Sequence, residues 1–415
     1  MNKIEYFPLK VSLIFLIFTE ALFWIGPNHY NINNDLVLAL YLALMNIALF
    51  VGYNRGVKNN TPKEYRFSRG IVKVILVLGL IAMYRFMNNT WASHGLQFSF
   101  SNLWSGITNP GEAYLASQEE LYHSSFLDII VLSFFRIISI PLGIYYWTQL
   151  NKVLKGVVLM TITLLLITYL GVGIRKGLLD LVIYTFFIIL AKNTHLLTSP
   201  KSYKRVKIIF VSFIVLFLFY FVFSIASRYG YTLHEIQNLN GVSTRGFYNE
   251  HLPGWLVFAL QSITGYLCQG YYALALALEI GIKDIVLFSD NWVSAYYCQK
   301  LFGYDPIDLT YMADLEAIGI DRYINWHTMY LWLANQFTFI GVPFVVYYIG
   351  YFFAQSWNDM IKANNDYSVI VFSFFIIMVL YLYANNQVLS DSATSFWLWF
   401  ILYILNKKNI KYSNK

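Results

Sequence analysis

The stretch Ile208-Ile-Phe-Val-Ser-Phe-Ile-Val-Leu-Phe-Leu-Phe-Tyr-Phe-Val-Phe-Ser-Ile-Ala226 contains no charged residue. An α-helix rises about 1.5 Å per residue and the bilayer core is about 30 Å thick, so an apolar run of roughly 20 residues can cross it. Comparable runs lie at 9–26, 35–53, 70–87, 125–150, 156–173, 177–191, 329–355, 367–384 and 395–406. Together they predict an all-α fold, a polytopic transmembrane helix bundle of about ten to twelve spans forming one membrane domain over 1–415. The composition agrees, being 58% hydrophobic, 19% aromatic and only 12% charged, with a mean hydropathy of +0.53. A soluble domain carries about 25% charged residues.

Glu20 interrupts the first run, and no small-residue cleavage site precedes Asp35, so 9–26 is read as a span and not as a signal peptide. Side of the membrane follows from Lys and Arg, which collect in cytoplasmic loops. Arg55, Lys58, Lys63, Arg66 and Arg69 fill one connection, and Lys192, Lys201, Lys204, Arg205 and Lys207 fill another. Lys407, Lys408, Lys411 and Lys415 bring the tail to the same side. Between Phe86 and Phe135 there is no Lys or Arg, although Glu112, Glu119, Glu120 and Asp128 are present, as expected of a translocated loop. Alternation of the spans then predicts both termini in the cytoplasm. The net charge of +7 and pI of about 9.0 read as topology, not as a nucleic-acid surface.

The regions 88–124, 227–254 and 282–328 are then long external loops, the kind of segment that carries function. Trp255–Ile280 is apolar but does not fit the alternation. Either it enters and returns, broken near Gly265, Gln269 and Gly270, or it lies along the outer surface. A third reading makes it a tilted span with another crossing near 282–297. No internal repeat of the kind common in transporters is visible.

Loop 282–328 carries Asp284, Asp290, Asp305, Asp308, Asp314, Glu316 and Asp321 against Lys283, Lys300 and Arg322. Carboxylates accept hydrogen bonds from sugar hydroxyls while aromatic rings cover sugar faces, so Asp305, Asp308, Asp314, Glu316 and Trp326 are candidate glycan contacts. A solvated loop with an interfacial aromatic belt fits the composition equally well. Cations near the outer face are few: Arg175 and Lys176 in a short turn, Arg228 after a span, then Arg245 and Arg322. Guanidinium groups bind phosphate with two prongs, so Arg175, Arg228 and Arg245 are candidate pyrophosphate ligands. Lys176 and Arg322 fit better as partners of nearby carboxylates or lipid phosphate. His327, at the mouth of a span, is a candidate proton acceptor. Arg136 is expected to pair with Asp128 or Asp180 inside the bundle, where Arg85 and Glu20 also lie in or at the ends of spans. Cys268 and Cys298 have no diagnostic spacing. No nucleotide loop, metal pattern or hydrolase elbow is present in the sequence, so neither cofactor nor metal is expected.

In layout and in two motifs the chain resembles the oligosaccharide repeat-unit polymerases of the O-antigen polymerase (Wzy) type, which are distantly similar to the O-antigen ligases. Gly173-Ile-Arg175-Lys-Gly-Leu-Leu179 is similar to the Gly-x-Arg-x-x-Leu-Leu element of that family, which follows a short external turn. Trp326-His-Thr-Met-Tyr-Leu-Trp-Leu-Ala-Asn-Gln-Phe-Thr-Phe-Ile-Gly341 resembles its His-x-x-Tyr-Leu stretch and following glycine. Arg228 and Arg245 fall in the loop where such enzymes keep functional arginines. An Arg-x₁₀-Gly pattern found in some members is absent, Leu239 standing where the glycine would be. The resemblance implies a glycosyltransferase of the inner membrane that joins undecaprenyl-pyrophosphate-linked oligosaccharides at the periplasmic face. A chain-length-regulating co-polymerase and membrane lipid would be its partners. Arg175, Arg228 and Arg245 would hold the leaving pyrophosphate, with Arg175 and His327 catalytic. A lipid-linked oligosaccharide flippase and an O-antigen ligase are the rival readings.

Overall fold

A computed structural model describes residues 4–93, 95–110, 131–174, 176–229, 241–289, 292–322, 325–384, 388 and 393–408. The fold is all-α, with sixteen α-helices among the described residues. In chain order they are α1 Phe7–Ile25, α2 Asp35–Lys58, α3 Arg69–Ser93, α4 Phe100–Thr108, α5 Ser133–Tyr145, α6 Lys152–Gly171, α7 Lys176–Lys192 and α8 His195–Thr198. There follow α9 Pro200–Tyr229, α10 Gly246–His251, α11 Gly254–Ile280, α12 Trp292–Phe302, α13 Tyr311–Glu316, α14 Met329–Ala363, α15 Asp366–Leu380 and α16 Ala393–Lys408. Every apolar run read from the sequence holds a helix. Six of them, α1, α2, α3, α6, α9 and α14, are long and apolar enough to cross a bilayer. The chain is a polytopic membrane protein.

Contacts divide the chain into two compact units, one of residues 1–60, 231–355 and 375–393, the other of 61–230, 356–374 and 394–415. In the first, α1 and α2 form an antiparallel hairpin. The Tyr6 hydroxyl donates to Asn54 and the Asn46 amide to the Glu20 carboxylate. Two strands, β1 Asn28–Tyr30 and β2 Val242–Thr244, pair antiparallel at the turn of this hairpin, with Asn28 opposite Thr244. α14 runs beside α2 at very close range. A Cβ on Gly52 would lie 2.7 Å from the Tyr347 carbonyl carbon, and one on Gly56 would lie 2.8 Å from the Ala354 Cβ. Small residues let helices approach in this way where no water drives them together. α14 breaks at Thr338, whose φ of 55° is strained for a β-branched residue. The interruption leaves the Asn335 carbonyl to accept from Val286 N–H, and Pro343, which has no N–H to give the Phe339 carbonyl, leaves that one to the Tyr41 hydroxyl.

The break expected at Gly265–Gly270 is absent. α11 is one unbroken helix of 27 residues that ends at Gly281, where a φ of 89° suits glycine. Its partners on the hairpin come from the turn end. The Gln261 carbonyl accepts from Asn28, Tyr271 bonds Thr19 at 2.9 Å, and the Ala275 carbonyl accepts from Asn34 at 2.7 Å. The Glu279 carboxylate accepts from Asn33 N–H. All of these contacts with the hairpin fall within residues 19–34, at its turn end. Gly270 serves packing: a Cβ there would sit 3.1 Å from Thr328 N and would also strike the Tyr383 carbonyl.

In the second unit α3, α5, α6 and α7 pack around Met83, Ile140 and Leu165, with Phe86, Tyr169, Leu181 and Tyr184 against them. A second core of Met87, Trp91 and Val172 closes the α3–α6 contact. Asn151 caps α6 by accepting from Leu154 N–H at 2.9 Å, and Asn365 caps α15 through Ser368 N–H at 3.1 Å. Trp357, Phe372 and Phe187 form an aromatic cluster.

Candidate functional site

In the first unit, segment 282–322 is held by its own charges. Lys283 pairs with Asp314, and its backbone N–H donates to the Tyr311 hydroxyl at 2.9 Å. Arg322 pairs with both Asp308 and Glu316. Asp305 accepts from Ile307 N–H at 2.9 Å and caps the short 3₁₀ turn Pro306–Leu309. The four carboxylates expected to meet sugar hydroxyls are therefore each committed to folding this segment. Asp308 stays 63% exposed and keeps acceptor capacity toward solvent. Trp326 packs on Tyr266 with ring centroids 5.6 Å apart.

His327 precedes α14 in a stretch docked by Met329 N–H onto the Leu382 carbonyl at 3.1 Å. It is 2% exposed. One ring nitrogen bonds the Asn325 backbone, while Nε2 is buried without a hydrogen-bond partner. A nitrogen facing a backbone carbonyl must carry the proton, which assigns N–H to Nδ1 and the lone pair to Nε2. Burial pushes the pKa down to about 4, although the Asn325 bond and the nearby Asp321 both oppose the shift. The ring is neutral at pH 7 and chemically able to accept a proton at Nε2. Access to that nitrogen requires the 325–328 stretch or a neighbouring side chain to move.

Arg245 serves the hairpin turn. Its Nε donates to the Gly26 carbonyl at 3.0 Å, its N–H donates to the Pro27 carbonyl, and the Tyr248 hydroxyl caps the Ile25 carbonyl at 2.6 Å. A cation on the last carbonyls of α1 is favourable with the helix dipole.

Arg175 lies outside the described residues, as do Asp128 and the side chain of Arg228. The flanks of the Arg175 turn are described. Lys176 pairs with Asp180 one helical turn on, and Gly177 packs against the Tyr169 ring. Arg136 lies over the Phe86 ring, 3.7 Å from its centroid. Asp180 is thus engaged by Lys176 and Arg136 makes the ring contact, while the expected pairing of Arg136 with Asp128 lies outside the described residues. Phe86, Tyr169 and Tyr184 share one cluster where α3, α5, α6 and α7 meet, with Arg136 on the Phe86 ring and Gly177 on the Tyr169 ring.

A polar network at the other end of the second unit was missed by the sequence reading. Asp366 accepts from Phe67 N–H at 2.6 Å and from the Tyr146 hydroxyl. Asp359 accepts from the Tyr403 hydroxyl at 2.7 Å and pairs with Lys407 at 2.9 Å. The run Asn364-Asn365-Asp366 at the start of an apolar segment was its available signal. Cys268 and Cys298 are buried and free. Among the described residues no three His, Cys, Asp or Glu side chains gather as a metal site. No family model, curated protein or solved structure matches this chain.

Proposed function

We propose that the protein is a glycosyltransferase that polymerises undecaprenyl-pyrophosphate-linked oligosaccharides at the periplasmic face of the inner membrane, with both termini cytoplasmic. The hydroxyl of one lipid-linked unit attacks the anomeric carbon of the other. The carbon–oxygen bond to pyrophosphate breaks with inversion, undecaprenyl pyrophosphate leaves with the electron pair, and the hydroxyl proton passes to His327 Nε2. Arg175, joined by Arg228 and Arg245, offsets charge on the departing pyrophosphate. Charge supplied by arginine makes neither a metal nor a nucleotide necessary to the scheme.

The observation that carries this reading is the state of His327, a neutral imidazole whose Nδ1–H is fixed by Asn325 and whose Nε2 lone pair is unused. The cations Arg136 and Lys176 in the first turns of α5 and α7 support it further, because phosphate groups of a membrane lipid lie at helix ends. The test is direct. Purified protein mixed with lipid-linked repeat units in EDTA, without nucleotide, should give a ladder of longer lipid-linked glycans and release undecaprenyl pyrophosphate. Transbilayer movement without lengthening would refute it in favour of a flippase, and transfer only to a lipid A core would refute it in favour of a ligase. A co-polymerase would shift the length distribution of the ladder.

A further inference from the structure

Segment 282–302 exposes a set of large apolar side chains that a loop in water would not keep outside. Leu287 is 57% exposed, Phe288 54%, Leu301 72% and Phe302 68%, and Ile282 and Ile285 are exposed as well. The exposure is built into the local structure. Phe288 holds a φ of 68°, a conformation an aromatic residue adopts only when its surroundings impose it. Two hydroxyls pin that turn, Ser289 donating to the Val286 carbonyl and Ser294 to the Phe288 carbonyl, both at 3.0 Å. On α12, Ala295 and Cys298 face inward, while Tyr296, Tyr297, Lys300 and Leu301 share the outward face. Tyrosine, lysine and leucine on one side of a short helix make the composition of a membrane interface, where the lysine stem lies along apolar neighbours and its ammonium reaches the headgroups.

What covers this surface is indicated by its continuity with α14. Val286 N–H donates to the Asn335 carbonyl at 2.7 Å, which fixes the strand of chain carrying Ile285 and Leu287 beside the start of that helix. The Tyr311 hydroxyl donates to the Gly281 carbonyl at 2.8 Å, and its ring packs on Phe339 at 4.9 Å, strapping the same segment along the helix. Immediately beyond, α14 exposes Ile340, Phe344 and Tyr348 at one-turn spacing, the side that a membrane-crossing helix gives to lipid. The carboxylates that would hold 303–322 in water are turned to Lys283, Arg322 and a backbone N–H.

We infer that segment 282–302 is a membrane-embedded anchor: its apolar face sits among the acyl chains of the leaflet that covers α14, and α12 lies in the interface. The proposal does not depend on the reaction catalysed. It makes the chain between α11 and α14 a monotopic element joined to a polytopic one, and it holds the following stretch, with His327, at headgroup level.

The test uses the full chain in vesicles of phosphatidylethanolamine and phosphatidylglycerol. Single cysteines replace Leu287, Leu301, Phe344 or Asp308 in a Cys268→Ala, Cys298→Ala background, each carrying a nitroxide. Collision with dissolved oxygen should exceed collision with a water-soluble nickel chelate several-fold at 287 and 301, matching 344, while 308 shows the reverse. Nickel dominance at 287 and 301 would overturn the proposal in favour of a solvated loop. Exclusion of both reagents would overturn it in favour of a protein partner. If the cysteine-free background does not fold, benzoylphenylalanine at Leu301 in the native chain should crosslink to radiolabelled lipid on illumination, and a crosslink to protein alone, or none, would refute the assignment.

Discussion

Replacing His327 by glutamine should remove a defined part of the protein's acid sensitivity. The folded imidazole titrates near pH 4, against 6.5 in its ordinary state, because burial penalises the charged ring. The depressed value means that the unfolded chain takes up the proton first. Stability from this group is complete above pH 6.5, falls as pH drops through the window, and reaches its floor below pH 4. The full difference corresponds to roughly 3 kcal/mol, of which less than half is lost by pH 5.5 and most by pH 4.5. The ring is almost wholly buried, so solvent screening takes little from these figures. The assay is a thermal unfolding series in mild detergent from pH 7.5 to 4.5, followed by intrinsic fluorescence, for the native chain and His327→Gln. The glutamine variant starts less stable, since its amide meets Asn325 imperfectly, but its stability should fall less steeply with acid. Parallel pH curves for the two proteins would refute the neutral, buried state of His327.

Gly52→Ala should destabilise the protein by about 2 kcal/mol, because overpacking against backbone outweighs the helix propensity gained, and a variant as thermostable as the native chain would contradict the α2–α14 crossing. Arg322→Ala should cost about 1–2 kcal/mol, measured by faster limited proteolysis within 303–322, while Asp308→Asn should cost less because Glu316 still holds the guanidinium. Arg175→Ala should abolish polymer without lowering protein level or membrane insertion, and Arg175→Lys should rescue poorly because an ammonium lacks the two-pronged contact. Normal polymer from the alanine variant would remove Arg175 from the mechanism.

The helices were legible because a bilayer demands long uncharged runs, and such runs are visible one residue at a time. Pairings were less so. The excess of acid in 282–328 could be counted, but its partners are separated by 31 residues for Lys283 and Asp314 and by 14 for Arg322 and Asp308, distances over which spacing carries no signal. The Arg245 contact was hidden for another reason, since its described partner is a backbone carbonyl, a group every residue offers. In α11 the sequence cue was real but its cause was different. Gly270 looks like a break because glycine weakens a helix, whereas here the missing side chain admits Thr328 and the Tyr383 carbonyl.

That distinction bears on how a lipid-borne sugar would be met. Carboxylates tied into ion pairs have fewer free lone pairs for hydroxyls, so recognition would rest more on aromatic faces such as Trp326 and on backbone groups. Such contacts are weak individually and tolerant of sugar identity. The discriminating step would then be delivery of the hydroxyl to His327, which stays covered until the 325–328 stretch or a neighbour moves. A base that is neutral, buried and weak contributes only once the reacting carbon is already losing its pyrophosphate, when the attacking hydroxyl has become acidic. On the proposed scheme the arginines would therefore set the timing of the reaction and the imidazole would complete it. On this scheme Arg175→Ala should cost far more activity than His327→Ala in the same polymer assay, and the opposite order would invert the roles assigned to the two residues.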